Sequence, residues 1–218
     1  MKRLLSRIIR YYIIKKLRPG VSVSIYPDWK CNYQCDYCLI RTDGVFPESK
    51  LLSLDSWKEY LTNMDTALRR SGGGGINEIS LLGGEPTLLP YFIDFCHWIL
   101  FEKKWMLMIY TNMSNLKTLE IEPSMLLRIE ATYHYNTSHL RFHERYIKVN
   151  KKHRVIPRQL LPPESDPLFK TIPILKYAHK DLLEVEEKNK DIACPPFIRV
   201  GPNQTTHFTY GKVCMQKS

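Results

Sequence analysis

A short run of three cysteines constrains this chain more than any other feature of its sequence. The run Cys31-Asn-Tyr-Gln-Cys35-Asp-Tyr-Cys38 has the spacing C-x₃-C-x₂-C, so a single loop offers three thiolates. A closed iron–sulfur or zinc site needs four ligands. Three ligands therefore indicate either a distant fourth ligand or a metal position that is left open for a substrate or cofactor, as in catalytic sites.

The remaining cysteines favour the open site over the alternatives. Zinc sites usually use two pairs of cysteines, and the next cysteine, Cys96, lies in an apolar helical stretch that is typical of a buried, inert thiol. Six cysteines among 218 residues, with no visible signal peptide, favour a reducing compartment over a disulfide framework. We therefore expect a cytoplasmic protein.

A second motif is predicted to lie beside the cysteine loop. Residues Val21–Tyr26 alternate apolar and polar side chains, which predicts a strand that ends just before the cysteines. Residues Ile79–Leu82 predict another strand, which leads into Gly83-Gly84-Glu85-Pro86. The carboxyl ends of parallel strands share one edge of a sheet, where sites are built. Glycines there allow the backbone to approach a ligand closely, and Glu85 offers a carboxylate suited to an ammonium group.

Together the two motifs resemble the radical S-adenosylmethionine (SAM) superfamily, over roughly residues 21 to 112. The resemblance implies a [4Fe-4S] cluster whose fourth iron chelates SAM. It implies that the cluster is held by Cys31, Cys35 and Cys38. It implies further that Gly83, Gly84 and Glu85, followed by Pro86, bind the SAM amine.

The resemblance also implies further contacts to SAM. Tyr37 occupies the aromatic position whose side chain lies against the adenine. Polar residues after the third and fourth strands touch SAM in the family, which implies this role for Asn112 and His134. For His134 the role of a satisfied buried histidine stays equally open. The stretch 155–163 lacks the glycine-bearing segment with which many members hold the adenine, so no adenine contact is predicted there.

The order of elements predicts an α/β fold. Strands and helices alternate along the chain, which favours a parallel sheet with right-handed crossovers. The length suits a partial (β/α)₆ barrel, the shape that the resemblance also implies. Beyond the motifs, the pattern predicts one helix that begins at Ser53 and three further helices at 89–101, 138–151 and 167–183. It also predicts strands at 105–110, 127–133 and 154–161.

Three regions are distinguished along the chain. Residues 21–192 are predicted to form the barrel, and residues 193–218 a short extension. Residues 1–20 carry seven of the net ten positive charges and have an apolar face at helical spacing, which predicts a basic amphipathic helix. Such a helix can lie on an anionic membrane; we favour docking of its apolar stripe onto the barrel.

Nucleic-acid binding by the basic stretch 141–158 is not favoured, because no recognised RNA-binding motif accompanies it.

The extension contains the last two cysteines. The segment Cys194-Pro-Pro…Tyr210-Gly-Lys-Val-Cys214 resembles the start of the SPASM or twitch extension of peptide- and protein-modifying radical SAM enzymes. Two cysteines cannot complete an auxiliary cluster alone. A second metal shared with His207 or with a partner chain, and a vestigial site, both stay open.

The function implied by the resemblance is reductive cleavage of SAM to a 5′-deoxyadenosyl radical that abstracts hydrogen from a substrate. A flavodoxin or ferredoxin would donate the electron, and the terminal cysteines favour a peptide or protein substrate. Alternatives within the family are a small-molecule enzyme similar to 7-carboxy-7-deazaguanine synthase and a glycyl-radical activase. An alternative of another class is a non-catalytic SAM-binding iron–sulfur sensor or electron carrier. The Gly-Gly-Glu segment argues against pure electron transfer, which has no need of an amine site.

Overall fold

Short parallel strands alternate with helices, so the predicted α/β class and partial barrel are confirmed. The computed structural model describes residues 20–35, 38, 51–134, 137–160, 197–200 and 206–209. Its strands are β1 (Val21–Ile25), β2 (Ile76–Leu81), β3 (Met106–Thr111), β4 (Leu127–His134), β5 (Val155–Leu160), β6 (Phe197–Val200) and β7 (Thr206–Thr209). Its α-helices are α1 (Leu54–Arg70), α2 (Phe92–His97) and α3 (His139–Lys152).

The strands form one open sheet in the order β5-β4-β3-β2-β1-β6-β7. Strands β1 to β5 are parallel neighbours in chain order. Strand β6 adds parallel to β1, on the edge away from β5, and β7 pairs antiparallel with β6. The hairpin within the predicted extension therefore joins the same sheet as the barrel strands.

The two faces of the sheet differ in chemistry because successive strand residues point to opposite faces. One face packs against the helices and forms the hydrophobic core, with Ile79, Leu107 and Ile129 fully buried. The opposite face is called the inner face below. It carries polar and charged side chains on β2 to β5, namely Glu78, Ser80, Tyr110, Arg128, Glu130, Thr132 and Arg158.

The start of α1 agrees with its sequence signal, whereas the helix predicted for 89–101 differs from the prediction. As predicted, Ser53 caps α1: its Oγ accepts a hydrogen bond from the backbone N–H of Ser56 at 3.1 Å. The single helix predicted for 89–101 is instead divided into α2 and a π-helical turn at Trp98–Glu102. Pro90 delays the start of the helix, and the N–H of Lys103 then reaches the carbonyl of Trp98 at 3.0 Å, five residues back.

The histidine that ends α3 leads to a prediction about acid stability. Burial, together with neighbouring Lys152, lowers the pKa of His153 from 6.5 to about 4. The unfolded chain therefore takes up a proton more readily than the folded protein as the pH falls from 6.5 towards 4. The contribution of His153 to the free energy of unfolding is present above this range and is lost within it.

Urea unfolding of the metal-free protein at several pH values across this range tests the expectation. His153→Gln should depend on pH less steeply than the wild type, whereas the exposed His143→Gln should match it. The free energy of unfolding of His153→Gln should still depend on pH, because burial also lowers the pKa of His134 to about 4. If the free energy of unfolding changed with pH equally steeply in the wild type and in His153→Gln, the lowered pKa of His153 would be contradicted.

Two predicted helices, at 1–20 and 167–183, lie outside the described residues, apart from Gly20 at the end of the first. Among the residues that are described, no helix has the length and apolar character needed to cross a membrane.

Candidate functional site

The predicted site residues meet at the carboxyl ends of the first four strands. The cysteine loop follows β1, Gly83 follows β2, Asn112 follows β3 and His134 ends β4. Since these strands are parallel, their ends lie at one edge of the sheet. The sequence predicted this convergence.

The three thiols of the triplet lie in one loop, and none of them is in a disulfide. Cys35 is buried, Cys38 is half-buried and Cys31 is exposed. Burial of the sulfur raises the pKa of Cys31, the N–H of Tyr33 opposes this by donating to the sulfur at 3.4 Å, and the negative charges of Glu85, Cys35 and Cys38 raise it further. A bound cation would favour the ionised form of the Cys31 thiol, whose pKa is raised in this way.

The donor set fits an iron–sulfur cluster with one open iron. Thiolates select soft metals and iron–sulfur clusters over oxygen-preferring ions. In the part of the chain that the structure describes, no three Cys, His, Asp or Glu side chains are arranged as a preformed metal site.

His134 contacts the triplet directly. Its Nδ1 lies 3.4 Å from the Sγ of Cys35, and its ring and that of Tyr33 form a T-shaped pair with 5.5 Å between centroids. Burial lowers the pKa of His134 to about 4, so the imidazole is neutral at neutral pH. A contact between His134 and SAM stays a prediction.

The two glycines bring two segments of the chain into close contact. The N–H of Gly84 donates to the carbonyl of Asp28 at 3.1 Å, and the N–H of Glu85 donates to the carbonyl of Lys30 at 2.9 Å. A Cβ on Gly84 would lie 2.2 Å from the carbonyl oxygen of Lys30, and one on Gly83 would lie 2.3 Å from that of Asp28. The backbone that these glycines approach is therefore the start of the cysteine loop itself.

The carboxylate of Glu85 is buried and held by donors from two strand ends. Its Oε1 accepts hydrogen bonds from the hydroxyl of Thr111 at 2.7 Å and from the N–H and hydroxyl of Thr87, while its Oε2 accepts one from the N–H of Asn112 at 2.7 Å. Burial raises the pKa of Glu85, and these donors lower it. Because a carboxylate oxygen accepts two hydrogen bonds, Oε2 retains capacity for a further donor such as an ammonium group.

Asn112 connects the Gly-Gly-Glu segment to the cysteine loop. While its backbone binds Glu85, its side-chain Nδ2 lies 3.1 Å from Oδ1 of Asn32 and 3.7 Å from Sγ of Cys31. The N–H of Ser114 donates to its Oδ1 at 2.8 Å, which fixes the amide orientation.

Sequence reasoning did not assign roles to Thr87 and Asn32. Thr87 lies two residues after Glu85, a spacing at which a side-chain oxygen can accept from a nearby backbone N–H, and this was the available signal. Asn32 had no such signal, because its partners Asn112 and Ser114 lie about eighty residues away. Tyr37, Cys194 and Cys214 lie outside the described residues, so their predicted roles stay predictions.

Comparison with known proteins identifies one curated relative. An S-adenosylmethionine-dependent nucleotide dehydratase from a Thermoplasmatales archaeon (strain ISO4-H5) is 31% identical over 87 residues, which are 38% of this chain and 25% of that protein. The match therefore spans about a quarter of the relative's length. No protein-family model matches the chain.

Among solved structures, BtrN in complex with AdoMet and 2-DOIA has a TM-score of 0.53 and 17% identity, covering 86% of this chain and 72% of that one. This likeness shows that the two proteins share a fold. The structure of Streptococcus suis SuiB bound to the precursor peptide SuiA has a TM-score of 0.49 and 19% identity, covering 73% of this chain and 37% of that one.

Proposed function

We propose that this chain is a radical SAM enzyme that binds a [4Fe-4S] cluster and cleaves SAM reductively. The observation that carries the proposal is the meeting of the cysteine loop and the Gly83–Glu85 segment at one sheet edge, joined through Asn112. The shared fold with BtrN, solved with AdoMet, and the name of the SAM-dependent relative support it.

Each residue of the site has a role in this proposal. Cys31, Cys35 and Cys38 hold the cluster, which when bound supplies the electron that splits SAM into methionine and a 5′-deoxyadenosyl radical. The backbone around Gly84 and the free acceptor capacity of Glu85 Oε2 bind the SAM amine, with Pro86 following the segment. Tyr37 lies against the adenine, and Asn112 and His134 line the remaining edge.

The direct test uses anaerobically reconstituted protein, dithionite and SAM without any substrate. We expect a brown protein, a spectral change when SAM is added, and slow formation of methionine and 5′-deoxyadenosine. A SAM-binding sensor would show the spectral change without cleavage. Protein that stays colourless, or that does not respond to SAM, would contradict the proposal.

Glu85→Gln tests the amine site separately from the cluster. The substitution keeps the size of the side chain and removes the charge that attracts an ammonium group, so we expect SAM to bind roughly 10- to 100-fold more weakly with the iron content unchanged. Titration of SAM into reconstituted protein measures the effect, and the exposed Glu122→Gln is the matched control. Unchanged affinity in Glu85→Gln would remove this residue from the amine site.

For the substrate, we propose a peptide or protein, because of the resemblance of the segment from Cys194 to Cys214 to the SPASM or twitch extension. In this proposal residues 21–192 are the catalytic barrel, residues 193–218 the extension, and residues 1–20 a helix that docks on the barrel. A flavodoxin or ferredoxin is the proposed electron donor.

A second candidate is chemistry on a nucleotide, which the name of the curated relative favours. Nucleoside triphosphates added to the SAM-cleavage assay separate the two. Faster formation of 5′-deoxyadenosine would favour the nucleotide substrate, and an unchanged rate would favour the peptide.

A further inference from the structure

The inner face of the sheet carries one charged side chain that stands apart from its neighbours. The guanidinium of Arg158, on β5, pairs with the carboxylate of Glu130 on β4 and lies 5.5 Å from the ring centroid of Tyr110 on β3. Within the described ranges, these are the ion pair and the ring contact of Arg158. They hold the guanidinium in place on the inner face of three neighbouring strands.

Exposure separates Arg158 from the other charged groups of the inner face. Glu78 and Glu130 are 1% and 0% exposed, and the side chain of Arg128, which also pairs with Glu130, is 11% exposed. The side chain of Arg158 is 41% exposed. Of these four charged groups on β2 to β5, Arg158 is therefore the most accessible to a molecule that lies against this face.

The ion pairs leave Arg158 with unused donors. Glu130 accepts a hydrogen bond from Arg128 and forms an ion pair with Arg158, so two guanidinium groups share one carboxylate. A guanidinium has five N–H donors in a planar fork, which matches the two oxygens of a carboxylate or phosphate. Among the described residues, the terminal nitrogens of Arg158 have no hydrogen-bond acceptor.

The position of Arg158 relates it to the candidate site. Arg158 lies opposite Thr132 in the β4–β5 ladder, and Thr132 precedes His134 by two residues on the same face. His134 contacts Cys35. Because a strand rises about 3.3 Å per residue, the register position of Arg158 lies about 7 Å below that of His134.

We propose that Arg158 anchors an oxyanion, a carboxylate or phosphate, of a substrate that lies on the inner face with its reacting part toward the cysteine loop. The proposal rests on the proposed function and assigns a chemical class to its substrate. Glu130 and the ring of Tyr110 pre-orient the fork, so little side-chain freedom is lost when the anion binds.

The experiment measures binding of two probe anions, inorganic pyrophosphate and citrate, to reconstituted protein by calorimetry at about 0.15 M salt, which screens weak surface binding. We expect at least one of them to bind with a Kd in the millimolar range or below. We expect Arg158→Gln to weaken that binding about tenfold or more, because it removes a charge-assisted, bidentate contact. Binding of pyrophosphate alone indicates a phosphate on the substrate, and binding of citrate alone indicates a carboxylate.

Lys148→Gln is the matched control, since it removes one positive charge from the exposed surface of α3. It should bind the probes as the wild type does. Should Arg158→Gln fail to fold, Arg158→Lys replaces it; this variant keeps the charge but loses the fork, and we expect binding at least several-fold weaker.

Three results would overturn the anchor: no binding by the wild type, equal binding by the Arg158 variant, or an equal loss in Lys148→Gln. SAM cleavage by the wild type is measured in parallel. If SAM is not cleaved while anion binding still depends on Arg158, the proposed function fails and the anchor stands. If SAM is cleaved and anion binding does not depend on Arg158, the proposed role of Arg158 is wrong and the proposed function stands.

Discussion

Replacing Cys35 with alanine is expected to abolish cluster assembly. Cys35 is the buried member of the triplet, and its loss leaves two thiolates in the loop, too few to hold a cubane that already lacks a fourth protein ligand. Iron and sulfide per chain, measured after anaerobic reconstitution, should fall close to zero together with the visible absorbance. SAM cleavage should fall below detection for the same reason.

Cys96→Ala provides the matched control for this result. Cys96 is also buried and also outside any disulfide, but it lies in α2 within the hydrophobic core. Burial raises the pKa of its thiol, which keeps it protonated and unsuited to bind metal. The control should retain wild-type iron. A Cys35→Ala protein with the same iron content as Cys96→Ala would overturn the ligand assignment.

Gly84→Ala is expected to displace the start of the cysteine loop. The added Cβ would lie 2.2 Å from the carbonyl oxygen of Lys30 and 2.5 Å from that of Trp29, and backbone atoms cannot turn aside as a side chain can. Overpacking of about 1–3 kcal/mol, together with loss of the hydrogen bonds from Gly84 and Glu85 to the loop at about 1 kcal/mol each, should lower the free energy of unfolding by about 3 kcal/mol or more.

The same displacement should reduce iron incorporation and SAM binding, because it separates the two segments that form the site. Urea unfolding and iron analysis measure the two effects. Gly72→Ala is the control: nothing lies within 4 Å of its added Cβ, and its φ of +81° makes the substitution cost only about 1 kcal/mol. Equal losses in the two variants would show that Gly84 has no special packing role.

The sequence predicted the local features of this fold well. Ser53 was recognised as a cap because its signal is contained in one turn of chain. The meeting of the cysteine loop with Gly83 and Asn112 was predictable because carboxyl ends of parallel strands share an edge. Both inferences need only short segments and one general rule of sheet geometry.

Features that depend on distant partners could not be predicted. The glycine pair indicated a close backbone approach, but residue type alone could not show that the neighbour is the backbone of Asp28 and Lys30 rather than a ligand. The placement of β6 beside β1 joins residues that are more than 170 positions apart. The π-helical turn after α2 was likewise not predicted, because nothing in the apolar spacing of 89–101 distinguishes it from a continuous α-helix.

The placement of β6 has a consequence for chain synthesis and proteolysis. Strand β1 is a central strand only when Phe197–Val200 pairs with it. A nascent or clipped chain that ends before this segment presents the outer edge of β1, with its unpaired N–H and C=O groups, directly beside the cysteine loop. Such a fragment should self-associate through that edge, so truncation before residue 197 is expected to yield aggregates instead of a smaller working enzyme.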